Sequence, residues 1–240
     1  ALGISLDSIS PRKHDYFRGL AGAWQQTVAG MNTCRKAGLP FQIHTTVTDW
    51  NQDEIEALTD FAVRVGARAH HLFFLIPAGR AVKIEEHSLP FETYERLLKQ
   101  IITKQKSVNI ELKPTCAPQF MRVAKQLNVP NRFNRGCLAG TGYCIITPIG
   151  NVQPCAYLET VVGNVREHPF DDIWRDSPVF QRLRSFKYEG GCGRCHYQKI
   201  CGGCRARANY YNGDYMGEDP LCHHHLTAQQ TATQCRGAEV

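Results

Sequence analysis

The chain has 240 residues, 42% of them hydrophobic, with 28 basic and 22 acidic side chains and a net charge of +6 at neutral pH. That apolar content can bury the core of one or two domains, which sets the chain apart from small, disulfide-stapled secreted domains. No run is long and apolar enough to span a bilayer and no charged-then-apolar leader opens the sequence, so composition points to a cytoplasmic protein without a membrane partner.

Residues 1 to about 106 alternate strand and helix. Residues 4–6 form a short apolar strand, and a helix follows over about 20–36, stopped at Gly38. Its stripe of Trp24, Val28, Met31 and Cys34 has helical period, which makes Cys34 a core thiol. Residues 41–47 are the next strand. Asn51, followed three residues later by Glu54, reads as a capping box opening a helix that buries Ile55, Leu58, Ala62 and Val65 and stops at Gly66. Residues 69–76 make a third strand, and 91 to about 106 a third helix with Tyr94, Leu98 and Ile101 inward. Strands regularly followed by helices specify an α/β fold with a parallel sheet, open or closed into a barrel. Downstream, 144–147 and 152–154 read as arms of a hairpin turning at Pro148-Ile149-Gly150-Asn151, and 169–186 as an amphipathic helical stretch.

Eight of the eleven cysteines lie in the second half: Cys137, Cys144 and Cys155, then Cys192, Cys195, Cys201 and Cys204, and finally Cys222. Eight thiolates are what two four-cysteine metal sites require. A tight CxxC turn brings two thiolates together, and Gly190, Gly191, Gly193, Gly202 and Gly203 let the backbone bend closely around an inorganic core. Two CxxC steps also describe a structural zinc ribbon, and a disulfide framework is a third reading. The block C-x12-G-x4-C from Cys137 to Cys155, together with Cys222, favours clusters over zinc.

This cysteine order resembles the SPASM domain, the auxiliary-cluster extension of radical S-adenosylmethionine (SAM) enzymes. One departure is the two-residue spacer between Cys201 and Cys204, where the family usually has three. The resemblance implies two auxiliary 4Fe-4S clusters, one on Cys137, Cys144, Cys155 and Cys204, the other on Cys192, Cys195, Cys201 and Cys222. Two such clusters bring about −4 of charge and leave roughly +2, so the basic balance does not argue for nucleic acid.

The resemblance extends upstream. The run Ile4-Ser5-Leu6-Asp7, with Pro11, His14-Asp15 and Arg18-Gly19, is similar to the fourth strand and following loop of the radical SAM partial barrel; the stretches ending His44-Thr45-Thr46-Val47 and Pro77-Ala78-Gly79-Arg80 are similar to its fifth and sixth strands. It implies the C-terminal half of a partial (β/α)6 barrel over 1–115, a linker and helix over 116–136, the SPASM domain over 137–225 and a tail over 226–240. Ser5 and Arg18 become candidate SAM contacts; the local alternative makes Asp7 and Ser8 turn formers and Arg18 a solvated loop charge. The C-x3-C-x2-C motif that ligates the SAM-cleaving cluster has no counterpart among the eleven cysteines. The sequence is therefore expected to be part of a longer enzyme, in which SAM and a third 4Fe-4S cluster act.

The stretches 70–77, 111–118, 136–140 and 201–208 resemble the branch of this family that tailors heme side chains, in heme d1 or alternative heme biosynthesis. That branch implies an iron tetrapyrrole substrate such as 12,18-didecarboxysiroheme, attack on a propionate or acetate side chain, and an electron donor such as ferredoxin or flavodoxin. Arg80, Lys113, Arg132, Arg135, Arg205 and Arg207, with Tyr210, Tyr211 and Tyr215, are candidates to bind its carboxylates and rings. Cys116, between Pro114 and Pro118, is the candidate catalytic residue, with a structural thiol as the alternative. His44, His70 and His71 are core residues or axial iron ligands. His223, His224 and His225 read as a solvated run, and Cys235 as unrelated to either cluster. Other SPASM enzymes, such as peptide or sulfatase maturases, share every cluster residue, and a zinc or electron-transfer module shares only the second cysteine block.

Overall fold

The protein is described here from a computed structural model covering residues 1–222 and His224; the tail from 225 onward, with Cys235, and His223 lie outside the described residues. The described residues form two compact units, 1–75 with 84–130, and 76–83 with those from 131 onward.

The first unit is built on β1 (Leu2–Ser5), β2 (Phe41–Val47), β3 (Ala69–Phe74) and β4 (Glu111–Thr115), all parallel and in the spatial order β1-β2-β3-β4. Sequence neighbours are thus always sheet neighbours, the winding of a barrel segment without the order reversal of a doubly wound sheet. The connections carry α1 (Pro11–Arg18), α2 (Ala23–Lys36), α3 (Ile55–Arg64) and α4 (Phe91–Lys104), and α5 (Phe120–Gln126) follows β4. Of these, α1 is not legible as an apolar stripe, because His14 is its one buried residue. Pro11 starts it, and Gly19 ends it in a left-handed conformation (φ 65°).

Alternation along the strands gives the sheet two different faces. Ile43, Val47, Leu72, Phe74 and Leu112 point to one and are buried, as are Leu58, Tyr94, Leu98 and Ile101 of α3 and α4. The other face carries Ser5, His44, Thr46, His71, Glu111 and Lys113, half-buried or exposed. Cys34 is buried in α2, as its helical period implied.

Asn51 does not cap a helix. A short 3-10 turn, Gln52–Glu54, separates it from α3, so the reciprocal geometry of a capping box is lost. Its Oδ1 instead accepts from the Thr48 amide (2.9 Å), and its Nδ2 donates to the carbonyls of Thr46 (2.8 Å) and Asp7 (2.9 Å), tying the ends of β1 and β2 together. Glu54 accepts from the Ser8 hydroxyl, the Ile9 amide and Lys13.

The second unit contains an antiparallel sheet of β5 (Ile145–Ile146), β6 (Asn151–Gln153) and β7 (Gly163–Asn164). Gly150 makes the β5–β6 turn at φ 90°, where a side chain would also run into Asn164 Oδ1 at 2.5 Å. The third strand was not anticipated. The amphipathic stretch 169–186 is two helices, α6 (Phe170–Asp176) and α7 (Pro178–Arg184), because Pro178 lacks the N–H needed to continue α6 and occupies the first turn of α7. Two further short helices, α8 (Gly190–Arg194) and α9 (Arg205–Asn212), complete the unit. Its apolar core is Val152, Ile173, Phe180, Leu183, Tyr188 and Met216.

His70 lies inside the first unit, with Thr45 Oγ1 2.9 Å from Nε2 and Thr59 Oγ1 3.0 Å from Nδ1. Those hydroxyls also face the carbonyls of Leu6 and Ile55. A neutral ring has one N–H to give, so one threonine turns its hydrogen onto the ring. Burial, with His71 and His44 nearby, pulls the His70 pKa from 6.5 down to about 3, and burial lowers His14 and His44 in the same direction. The unfolded chain therefore takes up protons that the folded chain refuses: stability is fully present above pH 6.5 and is lost as pH falls toward about 3. Each pH unit inside that window costs about 1.4 kcal/mol for one such group. The expected result is a urea midpoint clearly lower at pH 5 than at pH 7.5, with a flatter dependence in His70→Gln.

Candidate functional site

The cysteines of the second unit are delivered by turns and helix ends. The Cys137 segment runs along residues 200–201: Gly136 donates to the Ile200 carbonyl (2.7 Å) and the Cys137 amide to the Cys201 carbonyl (3.2 Å). Cys155 follows β6, and its carbonyl accepts the Leu158 amide at 3.1 Å. Cys192 and Cys195 lie in and just after α8, and Cys204 precedes α9.

Six of the thiols fall into two electrostatic trios: after burial, Cys137 raises the thiol pKa of Cys155 and of Cys204, and Cys222 and Cys192 raise that of Cys201. The split between Cys201 and Cys204 follows from the left-handed pair Gly202 (φ 74°) and Gly203 (φ 57°), which reverses the backbone within the two-residue spacer. Cys144 packs against the apolar core, and burial alone raises its thiol pKa. Cys195 receives the Tyr197 amide on its sulfur at 3.4 Å. Neither joins a trio, and among the described residues no three ligating side chains are drawn to metal-ligand geometry.

The surroundings nevertheless suit anionic sulfur. The Cys201 sulfur faces the Gly203 amide (3.5 Å), and the Cys192 sulfur faces the Asp219 amide (3.4 Å) and Arg205 Nη2 (3.6 Å). Burial pushes the thiols of Cys155, Cys192 and Cys204 up, and that of Cys201 well up. A buried thiol of this kind becomes a thiolate when a metal's positive charge is present. The donor set and its N–H groups therefore fit a sulfur-ligated metal or iron-sulfur cluster.

Two guanidinium groups are buried at the start of α9, Arg205 and Arg207, each 1% exposed. Arg207 is matched by buried Asp219, with Nη1 3.1 and 3.0 Å from the two carboxylate oxygens. Asp219 also accepts from the Cys204 amide at 2.6 Å. Arg205 donates to the carbonyls of Tyr215 (2.8 Å) and Gly217 (2.7 Å) and stacks on the Tyr188 ring at 4.3 Å. Tyr188 in turn accepts from Arg135 (2.7 Å), whose guanidinium also reaches the carbonyls of Cys137 and Lys199. Buried Arg205 and Arg207 are thus structural cations and not the substrate-facing ones expected from sequence, and Arg135 is committed to the same framework. Arg80 and Arg132 are exposed, and Tyr210 and Tyr211 are exposed and edge-to-face with each other.

In the first unit, Arg18 is no free loop charge. Its Nε lies 2.7 Å from Oδ2 of Asp7, which is fully buried, and Asp7 Oδ1 accepts the Thr46 amide at 2.9 Å. Ser5 is exposed at the end of β1, in register with His44. Cys116 sits directly after β4 at φ 60°, half-buried. His44 and His71 stack at 5.4 Å with rings 5° from parallel, and His71 Nε2 pairs with Glu111 at 2.9 Å. His70 lies on the opposite, buried face, so it is a core residue.

The comparisons with known proteins agree with this arrangement. SPASM, an iron-sulfur cluster-binding domain, matches residues 137–196. An AdoMet-dependent heme synthase from Methanosarcina barkeri is 43% identical over 92% of this chain and 66% of its own length. A pre-heme d1 synthase from Dinoroseobacter shibae is 28% identical over 97% of this chain and 63% of its own. Streptococcus suis SuiB bound to its precursor peptide SuiA superposes with a TM-score of 0.68 at 18% identity, covering 92% of this chain and 53% of SuiB. A parallel α/β unit joined to an iron-sulfur cluster-binding unit is the class these features define. Over residues 137–196 the chain carries a SPASM iron-sulfur cluster-binding domain, and over most of its length it is similar to AdoMet-dependent heme synthases. It spans less than two thirds of the length of these curated relatives.

Removing one member of the buried Arg207–Asp219 pair strands the other, a loss of about 3–5 kcal/mol. Asp219→Ala should therefore unfold at a clearly lower denaturant concentration, and the Asp219→Ala/Arg207→Ala double variant should lose less than the sum of the two single changes.

Proposed function

We propose that the chain is the auxiliary-cluster-bearing part of a radical SAM enzyme that tailors the carboxylate side chains of an iron tetrapyrrole. The observation that carries this reading is the 43% identity to a heme synthase over 92% of the chain, in a unit that gathers its thiols around buried cationic and amide donors. Cys137, Cys144, Cys155 and Cys204 would hold one 4Fe-4S cluster and Cys192, Cys195, Cys201 and Cys222 the other, the first trio taking in Cys144 and the second Cys195 when metal draws them together. Such clusters supply one-electron chemistry, accepting the electron left when a substrate side chain fragments. SAM cleavage itself requires a third cluster, for whose C-x3-C-x2-C ligands the 240 residues have no motif.

The chain's own side chains do the binding and positioning. Ser5 and Arg18, the latter held by Asp7, would contact SAM, a guanidinium suiting its carboxylate. The polar sheet face of His44, His71, Glu111 and Lys113 offers donors to substrate carboxylates. Cys116, at the C-terminal end of β4, stands where barrel enzymes place reactive groups. A ferredoxin or flavodoxin would deliver the reducing electrons. The peptide-maturase reading has the weaker sequence support, 29% identity to a PqqA peptide cyclase over 91% of the chain against 43% to the heme synthase over 92%.

Two tests follow, both on the full-length protein under anaerobic conditions. Titration with iron coproporphyrin should shift its Soret band and saturate; absence of a shift, together with binding of a precursor peptide, would overturn the tetrapyrrole assignment. Arg18→Lys keeps the charge beside Asp7 but loses the planar fork, and should weaken SAM binding about tenfold by equilibrium dialysis.

A further inference from the structure

Arg205 is a buried cation with an incomplete set of partners. It is 1% exposed, and among the described residues its hydrogen bonds go to the carbonyls of Gly203, Tyr215 and Gly217 and to the sulfur of Cys192, with no carboxylate among them. Its neighbour Arg207, equally buried, has a carboxylate of its own in Asp219. A guanidinium held out of water costs several kcal/mol unless an anion lies beside it. The groups that face Arg205 and can carry negative charge are, in falling order of influence, Cys192, Cys137, Tyr188 and Asp219. Asp219 is engaged with Arg207, and Tyr188 is a phenol that receives a hydrogen bond from Arg135 and has its pKa raised by burial. That leaves sulfur. The packing is also tight: a side chain at Gly203 would meet Arg205 Nη2 at 2.5 Å and the Cys192 sulfur at 3.0 Å, so Gly203 lets guanidinium and thiol approach each other.

We propose that Arg205 is the built-in countercharge of the iron-sulfur cluster held by Cys192, and that it makes this the higher-potential of the two clusters. The inference rests on the cluster assignment above. A 4Fe-4S cluster with four thiolates gains one negative charge on reduction, and a fixed positive charge at hydrogen-bond distance from one of its sulfurs favours that reduced state. Arg205 also acts on Cys137 of the partner site, but less than on Cys192, and among the described residues its hydrogen bond to sulfur goes to Cys192. Arg207, the cation that acts on Cys204, is neutralised by Asp219, which also acts on Cys204 with the opposite sign. The asymmetry gives an electron released near these clusters a preferred resting place at the Cys192 site. Arg205 touches no reacting atom; it is a positioning and tuning residue.

The experiment is a potentiometric titration followed by electron paramagnetic resonance on the reconstituted holoprotein, comparing wild type, Arg205→Lys and Arg205→Gln, with iron and sulfide content measured for each. Cys192→Ala assigns the signal belonging to its cluster. In Arg205→Gln, the Cys192 cluster should be at least tenfold less reduced at a given potential, a shift of about 59 mV for a one-electron couple, while the other cluster moves less and Arg205→Lys lies between. If Arg205→Gln loses that cluster and Arg205→Lys retains it, the countercharge role also stands. Unchanged potentials in a loaded Arg205→Gln protein would overturn the proposal, as would equal cluster loss in Arg205→Lys and Arg205→Gln, which would make the residue's shape the determinant. Wild-type protein without iron and sulfide would instead overturn the cluster assignment on which both rest.

Discussion

The contact of a buried guanidinium, Arg205, with the Cys192 sulfur is the interaction on which the second unit depends. The apolar core there is small, with Val152, Ile173, Phe180, Leu183, Tyr188 and Met216 at its centre, yet the unit keeps two guanidinium groups out of water. One is matched by Asp219 and the other points at a cysteine sulfur. A core of that size does not by itself carry such a burden, and small units of this kind draw folding energy from the metal they hold. The thiols, in turn, are raised by burial to where only a bound cation makes them ligands. Charge, sulfur and fold are therefore mutually dependent in this unit.

The first unit meets the opposite requirement. Its sheet buries an apolar face under helices and leaves a polar face bearing His44, His71, Glu111 and Lys113. Asp7 is the organising group at the end of β1, receiving Arg18 and the Thr46 amide, while Asn51 bridges the same strand ends. Such buried polar contacts fix side chains at the mouth of a parallel sheet more tightly than loops do, which is what ligand-binding groups there need.

Periodic features were legible in the sequence. The strand at Phe41–Val47 and the helix starting at Phe91 announce themselves by alternation and by apolar spacing. Features set by tertiary partners were not. The helix Pro11–Arg18 has no apolar stripe, Asn51 has the right spacing for a cap and the wrong backbone, and Gly163–Asn164 is too short to signal a strand. The grouping of the eight cysteines into two ligand sets is implied by the resemblance, since no periodicity in the sequence carries it. Arg205 and Arg207 look like surface cations in a polar run, and only the fold shows Asp219 and Cys192 beneath them.

The central claim is that two sulfur-ligated clusters share this unit, stitched together by Cys204. It is tested most directly by counting iron, acid-labile sulfide and zinc in anaerobically reconstituted protein and in Cys204→Ser. The account predicts about eight iron and eight sulfide per chain, falling to about four of each in Cys204→Ser as one site is lost and the other kept. One or two zinc ions with no sulfide in the parent protein would contradict it.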